Sequence, residues 1–483
     1  MVTRSDLVRR DRWTHDLPTS LRPDMRVPGR LYANESILAD ALEDRSIDQL
    51  QNTTTLPGIV GHALAMPDMH QGYGFPIGGV AATATPDGVI SPGGVGYDIN
   101  CGVRVLATRI DAEAIRPRMD TLLTALFQAV PSGVGSSRDR ALSARELDHV
   151  LKQGSRWALS RGWGRPEDLE HTEDHGEMPQ ADPAALSARA KERGLDQVGT
   201  LGSGNHFLEV DAITEIFDED AAAALGLVKG CVAVWIHCGS RGLGHQVCTD
   251  AVRSMQQAVS RYRIDLPDRE LACAPLSSPE GRQYLAAMAC AANYAWANRQ
   301  AITHRVREAF SQVLGSDLEK DDLRLVYDVC HNIAKIETHQ VDGRRRELCV
   351  HRKGATRAFG PGLPEVPTPL RDLGQPVLVP GSMGTCSYIM LGTTRAMLES
   401  FGSCCHGAGR VKSRTQSRRD VHGEQVRRDL QERGISVRTD SLRGLAEEAP
   451  EAYKMVDDVV TVVEGVGLAR KVARTVPIGV IKG

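Results

Sequence analysis

Ser91-Pro-Gly-Gly-Val-Gly-Tyr-Asp-Ile-Asn-Cys-Gly-Val-Arg104 is the stretch around which the rest of the chain is organised. It sets a carboxylate, Asp98, three residues from a thiol, Cys101, behind a glycine-rich turn and ahead of a β-prone segment. One hard and one soft donor at that spacing could serve the same metal ion. Taken alone, the stretch reads rather as a tight turn with a buried free cysteine, a common setting for that residue. The histidine-bearing segments that follow separate the two readings.

Outward from this stretch, Leu56 to Ile110 consists of short apolar runs broken by Gly and Pro, the texture of strands joined by tight loops, and it contains Met66-Pro-Asp-Met-His-Gln-Gly-Tyr-Gly-Phe-Pro76. Three later islands have the same character. Gly199-Thr-Leu-Gly-Ser-Gly-Asn-His-Phe-Leu-Glu-Val210 leads from glycines into a strand, and Cys231 to Gly244 is a buried strand that runs through His237 into a polar turn. Leu323 to Val329 is a strand that delivers His331 to His339. Each island puts a histidine at or near a strand end, where a rigid scaffold presents site residues. Asp98, Cys101, His206, His237 and His331 make one carboxylate, one thiol and three imidazoles, more than one catalytic ion needs. A second ion sharing a ligand fits that count, and thiolate sulfur can bridge. Any one of these histidines alone reads more readily as a hydrogen-bonded core residue; it is the four separate islands that favour a site.

His406 is different. It sits between Cys405 and a Gly-Ala-Gly-Arg410 turn, so a substrate can approach its ring closely, with Arg410 near in sequence for a phosphate. Position alone leaves metal ligand and covalent nucleophile equally open. Cys404 and Cys405 read as buried inert thiols. His171 and His175 are spaced like helical ligands, but the nearby Gly176 and Pro179 predict a loop. The common nucleotide signatures are absent: there is no G-x-x-x-x-G-K-[ST], and the Gly-x-Gly pairs lack the third glycine of the dinucleotide fingerprint.

The periodicity predicts helices over Glu35–Leu50, Ala141–Ala158 and the alanine-rich Pro279–Phe310, with Leu285–Ala292 a buried piece. Residues 1–30 read as an irregular arm or short edge elements, and residues 31–483 as one composite catalytic domain. Net charge is −3, so a nucleic-acid partner must be held by a local basic patch and not by the whole field. Arg344, Arg345, Arg346, Arg352, Lys353, Arg410, Lys412, Arg414, Arg418 and Arg419 are the candidates. Eleven scattered cysteines with no C-x-x-C pair argue for a reducing compartment, and no apolar run spans a bilayer; the expected location is cytoplasmic, with no membrane partner.

Together the islands resemble the RtcB family of RNA-splicing ligases. The resemblance is carried, in order, by MPDMHQGYGFPIGG, GGVGYDINCGVR, GTLGSGNHFLEV, HCGSRGLG, HNIAKIETH, HRKGAT, PGSMGTCSY, CCHGAGR, EAYK and PIGVIKG, with VPGRLYANESIL upstream. It implies an α+β fold, a single catalytic domain of mixed sheets, Gly-rich loops and surrounding helices. It also implies a GTP-dependent ligase joining RNA 3′-phosphate or 2′,3′-cyclic phosphate ends to 5′-hydroxyl ends, in tRNA splicing or RNA repair. On this resemblance Asp98, Cys101, His206, His237 and His331 hold two Mn²⁺ ions with Cys101 bridging, and His406 carries GMP with Asp68 orienting its ring. Asn205, Glu209, Ser382, Ser387, Gly407, Ala408, Gly409, Tyr453 and Lys482 would contact the nucleotide, Arg241 and Arg410 the RNA phosphates. An archease-type activator is a further partner it raises. Departures from the commonest family pattern fall at Gly402, Cys404 and Lys412. The competing readings are a two-metal phosphoesterase acting on RNA ends and a non-catalytic RNA-end binder.

Overall fold

After its glycine turn, the opening stretch enters strand Gly102–Asp111, whose valines and leucine suit a sheet buried on both faces. In the computed structural model, which describes residues 2–133, 135–136, 141–319 and 321–483, this strand lies inside an eight-stranded sheet. The order is Arg324–Cys330, Gly102–Asp111, Cys231–Cys238, Phe207–Ile216, Ala469–Lys482, Ser387–Gly392 and Pro376–Val379, with Ser436–Thr439 added parallel to Ala469–Lys482. The pairings along the main path are antiparallel. Gly102 lies opposite both Cys238 and Cys330, and Phe207 opposite His237. Register therefore gathers Cys101, His206, His237 and His331 at one end of four consecutive strands.

A seven-stranded sheet forms the second layer, in the order Val8–Arg9, Thr14–Leu17, Gly29–Tyr32, Ile59–His70, Ile77–Ala84, Arg344–Lys353 and Asn332–Val341. The first thirty residues thus supply short strands at its edge. His331 is the joint between the layers: Arg324–Cys330 ends the larger sheet and Asn332–Val341 begins the last strand of the smaller one. Asp68 comes from Ile59–His70, and the short pair Ala355–Arg357 with Ser403–Cys405 holds His406 at the same seam. The fold is a mixed α/β domain whose candidate site lies where its two main sheets meet.

Helices pack around the sheets, the longest being Pro279–Leu314, 36 residues or about 54 Å. Ser278 caps it through the Gly281 N–H (3.0 Å), and Pro279 starts its first turn, where a missing N–H costs nothing. Its alanines allow close packing, yet its buried face also carries Asn293, Asn298, Arg299, Gln300 and Thr303. Arg299, 0% exposed, donates to both Asp328 oxygens (2.8 Å each), to the Asn100 carbonyl (2.7 Å) and to the Cys238 carbonyl (2.9 Å). Asn298 holds the other loops, accepting from Gly199 N–H (2.6 Å) and donating to the Thr200 and Gly239 carbonyls (3.2 Å each). One helix thereby ties down the backbone beside Cys101, His206, His237 and His331. Arg299→Met leaves Asp328 short of its main partner, and a broken buried ion pair costs about 3–5 kcal/mol. The urea midpoint is expected to fall accordingly, while a shift worth under about 1 kcal/mol would show that Arg104, 2.7 Å from Asp328, suffices.

Two predicted helices are each broken. Glu35–Leu50 becomes Glu35–Glu43 and Ser46–Thr53, because the Asp44 carboxylate turns to cap the Ser46 N–H at 2.7 Å. Ala141–Ala158 becomes Ala144–Gln153 and Ser155–Ser160, parted at Gly154 with φ +54°, where a Cβ would lie 2.0 Å from the Gly176 carbonyl oxygen. Residues 137–140 and 134 lie outside the described set. Among the described residues no helix is long and apolar enough to cross a membrane.

Candidate active site

The five predicted donors converge. Cys101 Sγ lies 3.4 Å from His206 Nε2 and 3.3 Å from His237 Nε2; His237 Nε2 lies 3.3 Å from His331 Nε2, and Asp98 Oδ2 is 2.8 Å from His206 Nε2. The atoms fall into two triads, Cys101–His237–His331 and Asp98–Cys101–His206, with Cys101 in both. Two nitrogens held by one tetrahedral ion at about 2.05 Å sit about 3.3 Å apart, so the spacing is that of ligands about a cation. No single proton satisfies these mutual contacts between lone pairs, whereas a cation in each triad does. The Nδ1 atoms of His237 and His331 are buried without hydrogen-bond partners, so the two rings are committed through Nε2.

Electrostatics point the same way. Burial pushes the Cys101 thiol up to about 12, and the neighbouring Asp98 charge adds to the effect. Such a thiol becomes a thiolate at neutral pH only when a cation replaces its proton. Burial opposes ionisation of Asp98, but the charge and hydrogen bond of His206 prevail and hold its carboxyl at about 2. Burial and the adjacent imidazoles hold His237 and His331 far below the usual range, so both present neutral lone pairs. The donor chemistry suits a resident metal.

His406 stands next to this cluster, its ring centroid 4.9 Å from that of His331. Its Nδ1 is 2.5 Å from Asp68 Oδ2, the same oxygen that accepts the backbone N–H of His406 (2.8 Å) and of Gly407 (3.3 Å). A carboxylate can only accept, so Nδ1 carries the proton and Nε2 keeps its lone pair. Asp68 is fully buried, while His406 lines a cavity of about 1000 Å³ together with His237, His331, Asn205, Glu209 and Lys482. Close approach of the two segments requires glycine: at Gly409, φ +74°, a Cβ would lie 2.1 Å from the Asp68 carbonyl oxygen. The arrangement is a cleft with a metal-type donor cluster on one side and, beside it, an imidazole oriented by a carboxylate.

The family described as tRNA-splicing ligase RtcB matches residues 49–483. A tRNA-splicing ligase RtcB of Archaeoglobus fulgidus is 54% identical over 468 residues, 97% of each chain. One of Thermococcus kodakarensis is 54% identical over 459 residues, 95% of each. An RNA-splicing ligase RtcB of Mycobacterium tuberculosis is 55% identical over 438 residues, 90% of this chain and all of that one. The chain belongs to the RtcB family.

Of the residues that the RtcB resemblance assigns to the nucleotide, Asn205, Glu209, Ser382, Gly407, Ala408, Gly409, Tyr453 and Lys482 line the cavity. Ser387 does not; it is buried behind the loop, its hydroxyl accepting the Gly381 N–H at 3.0 Å. Burial and neighbouring Asp211 push the Glu209 carboxyl well up, against the pull of Lys482. Arg410 crosses the Tyr453 ring at 5.0 Å and donates to Glu448 Oε2 at 3.0 Å, and Tyr453 also hydrogen-bonds Glu448. Arg241 is held beside the cluster at φ +54°, its Nε donating to Thr200 Oγ1 at 3.1 Å.

Other expectations fare differently. Arg352 and Lys353 are buried and cannot serve a basic patch: Arg352 makes a two-point pair with Glu337 (2.7 and 2.8 Å), and Lys353 Nζ donates to the Phe75 carbonyl (3.2 Å). Lys412 pairs with Asp420 at 2.8 Å. Gly402 has φ +58°, and a Cβ there would meet the Phe359 ring at 2.5 Å. His171 and His175 lie in turns away from the donor cluster, as the loop reading has it. The residues that sequence reasoning missed are Arg299, Asn298, Asp328 and Asn332, whose side chain bridges the Asp98 carbonyl (3.0 Å) and the Gly354 N–H (2.9 Å).

Proposed function

We propose that the protein is a GTP- and Mn²⁺-dependent RNA ligase that joins 3′-phosphate or 2′,3′-cyclic phosphate ends to 5′-hydroxyl ends. The observation that carries this reading is the His406–Asp68 pair facing a cavity beside two donor triads that share Cys101. A phosphoesterase acting on RNA ends would use the same triads, with His406 as a ligand or general acid; the match to the tRNA-splicing ligase family over residues 49–483 favours the ligase.

Asp98, Cys101, His206, His237 and His331 would hold two Mn²⁺ ions, whose charge offsets the negative charge that builds on phosphate oxygens during transfer. His406 Nε2 attacks the α-phosphorus of GTP, forming a P–N bond as pyrophosphate leaves, and Asp68 stabilises the charge that grows on the ring through Nδ1–H. The GMP then passes from His406 to the RNA 3′-phosphate, a poor electrophile that becomes an anhydride. The 5′-hydroxyl displaces GMP from that anhydride, forming the phosphodiester and freeing His406 to repeat the cycle. Asn205 serves the GTP phosphates, and Glu209, Ser382 and Lys482 the guanine edge, with Tyr453 against its face. Ser387, Gly407, Ala408 and Gly409 shape the GMP pocket, while Arg241 and Arg410 serve RNA phosphates. Thiolate and imidazole bind Zn²⁺ more tightly than Mn²⁺, so zinc is expected on purification in place of the active metal.

Incubation with α-labelled GTP and Mn²⁺ is the test. Label on the protein that is acid-labile and base-stable, and absent from His406→Ala, is the expected result. No label with the metals demonstrably bound would favour hydrolysis of RNA ends instead.

A further inference from the structure

Next to the donor cluster stands a group of rings that the proposed reaction does not use. Tyr97, the residue before Asp98, meets Tyr73 edge-on, centroids 5.6 Å apart at 72°, and lies tilted against His245 at 4.9 Å and 34°. His245 is exposed, and Tyr73 and Tyr97 are half-buried. Partly wet rings grouped in this way are unusual in a chain with so few aromatics.

The group is rigid. Lys353 Nζ donates to the carbonyls of Tyr73 and Phe75, and the Gly74 N–H donates to Glu270 Oε2 at 3.0 Å, which fixes the Tyr73 loop from below. His245 rides on helix Arg241–Arg261. The group is also continuous with the candidate site. Gln71 and Gly72, just before Tyr73, line the main cavity, and Arg241 opens the helix that carries His245 four residues on, its guanidinium donating to Thr200 and Ser136. Partly exposed rings that adjoin the cavity suit a single strand, whose bases stack on aromatic side chains.

We propose that Tyr73, Tyr97 and His245 form a stacking ledge for the unpaired bases next to the RNA end that is joined. This rests on the RNA-ligase reading above. The ligand class is single-stranded RNA with a few unpaired nucleotides at its end, and the ledge reads base faces, not base edges, so it tolerates any sequence.

The test uses the full chain and short RNAs whose terminal nucleotides are either normal or abasic. His245→Ala and Tyr73→Ala are each expected to raise KM for the normal RNA about tenfold or more, and to take up label from GTP at the wild-type rate. Wild type should bind abasic RNA as weakly as the variants bind normal RNA, with no further loss on combining the two changes. Tyr97→Phe, which keeps the ring, should behave as wild type. An unchanged KM, or equal losses on normal and abasic RNA, overturns the ledge. If the wild type itself takes no label, the ligase reading has failed, and fluorescence anisotropy with the same RNAs judges the ledge separately.

Discussion

Asp68→Ala is expected to slow GMP loading of His406 by about 10⁴-fold, the size of loss seen when an imidazole catalyst loses its carboxylate partner. The change removes the acceptor for Nδ1–H and for the backbone N–H groups of His406 and Gly407. The ring can then turn and take either tautomer, and nothing stabilises positive charge on it. All three contacts fall on Oδ2, while Oδ1 is buried without a partner. Asparagine can therefore set its oxygen where Oδ2 sits, so Asp68→Asn should recover geometry but not charge and lie between alanine and wild type. The rate of label uptake from α-labelled GTP at saturating Mn²⁺ measures both. A loss under tenfold for alanine would show that the nucleophile does not depend on Asp68.

Cys101→Ala should abolish ligation and remove more than one metal equivalent. Each triad loses a donor at once, since the same sulfur serves both. The residue is small and 2% exposed, so alanine fits with little repacking, and thermal unfolding of the metal-free protein should change by only a few degrees. Elemental analysis after Mn²⁺ loading gives the metal count. Turnover within tenfold of wild type would remove Cys101 from the metal set.

The donor residues are legible in the sequence because their signals are local. Gly93 to Gly96 before Asp98, and Gly199 to Gly204 before His206, announce turns, and an apolar run beside each histidine announces a strand. Strand ends are where a sheet can aim side chains into a common space, so donors placed there need only the right register to meet. The His406–Asp68 pair is different: 338 residues separate the partners, and no local pattern links them. Family resemblance, not spacing, brings Asp68 forward. Arg299 is hidden for another reason. It reads as one polar residue in an alanine-rich helix, and only its depth shows that it orders the loops. A usable signal was present, since a helix as apolar as Leu285–Ala292 does not continue into Asn293, Asn298, Arg299 and Gln300 unless those groups find buried partners. The helix breaks at Asp44 and Gly154 were missed because the apolar period runs on across them while the backbone does not.

Strand Ala469–Lys482 lies between Phe207–Ile216 and Ser387–Gly392, inside the larger sheet. During synthesis, Phe207–Ile216, made about 250 residues earlier, and Ser387–Gly392, made fewer than 80 earlier, stay unjoined until this strand slots between them. The donor end of the sheet can form beforehand, since its four strands lie on one side, but the wall bearing Lys482 cannot. Chains emerge at about 5–20 residues per second, so an exposed sheet edge persists for many seconds. A nascent chain can thus assemble the donor end of the sheet before the wall that bears Lys482, and a chaperone that shields the Phe207–Ile216 edge would act in that interval.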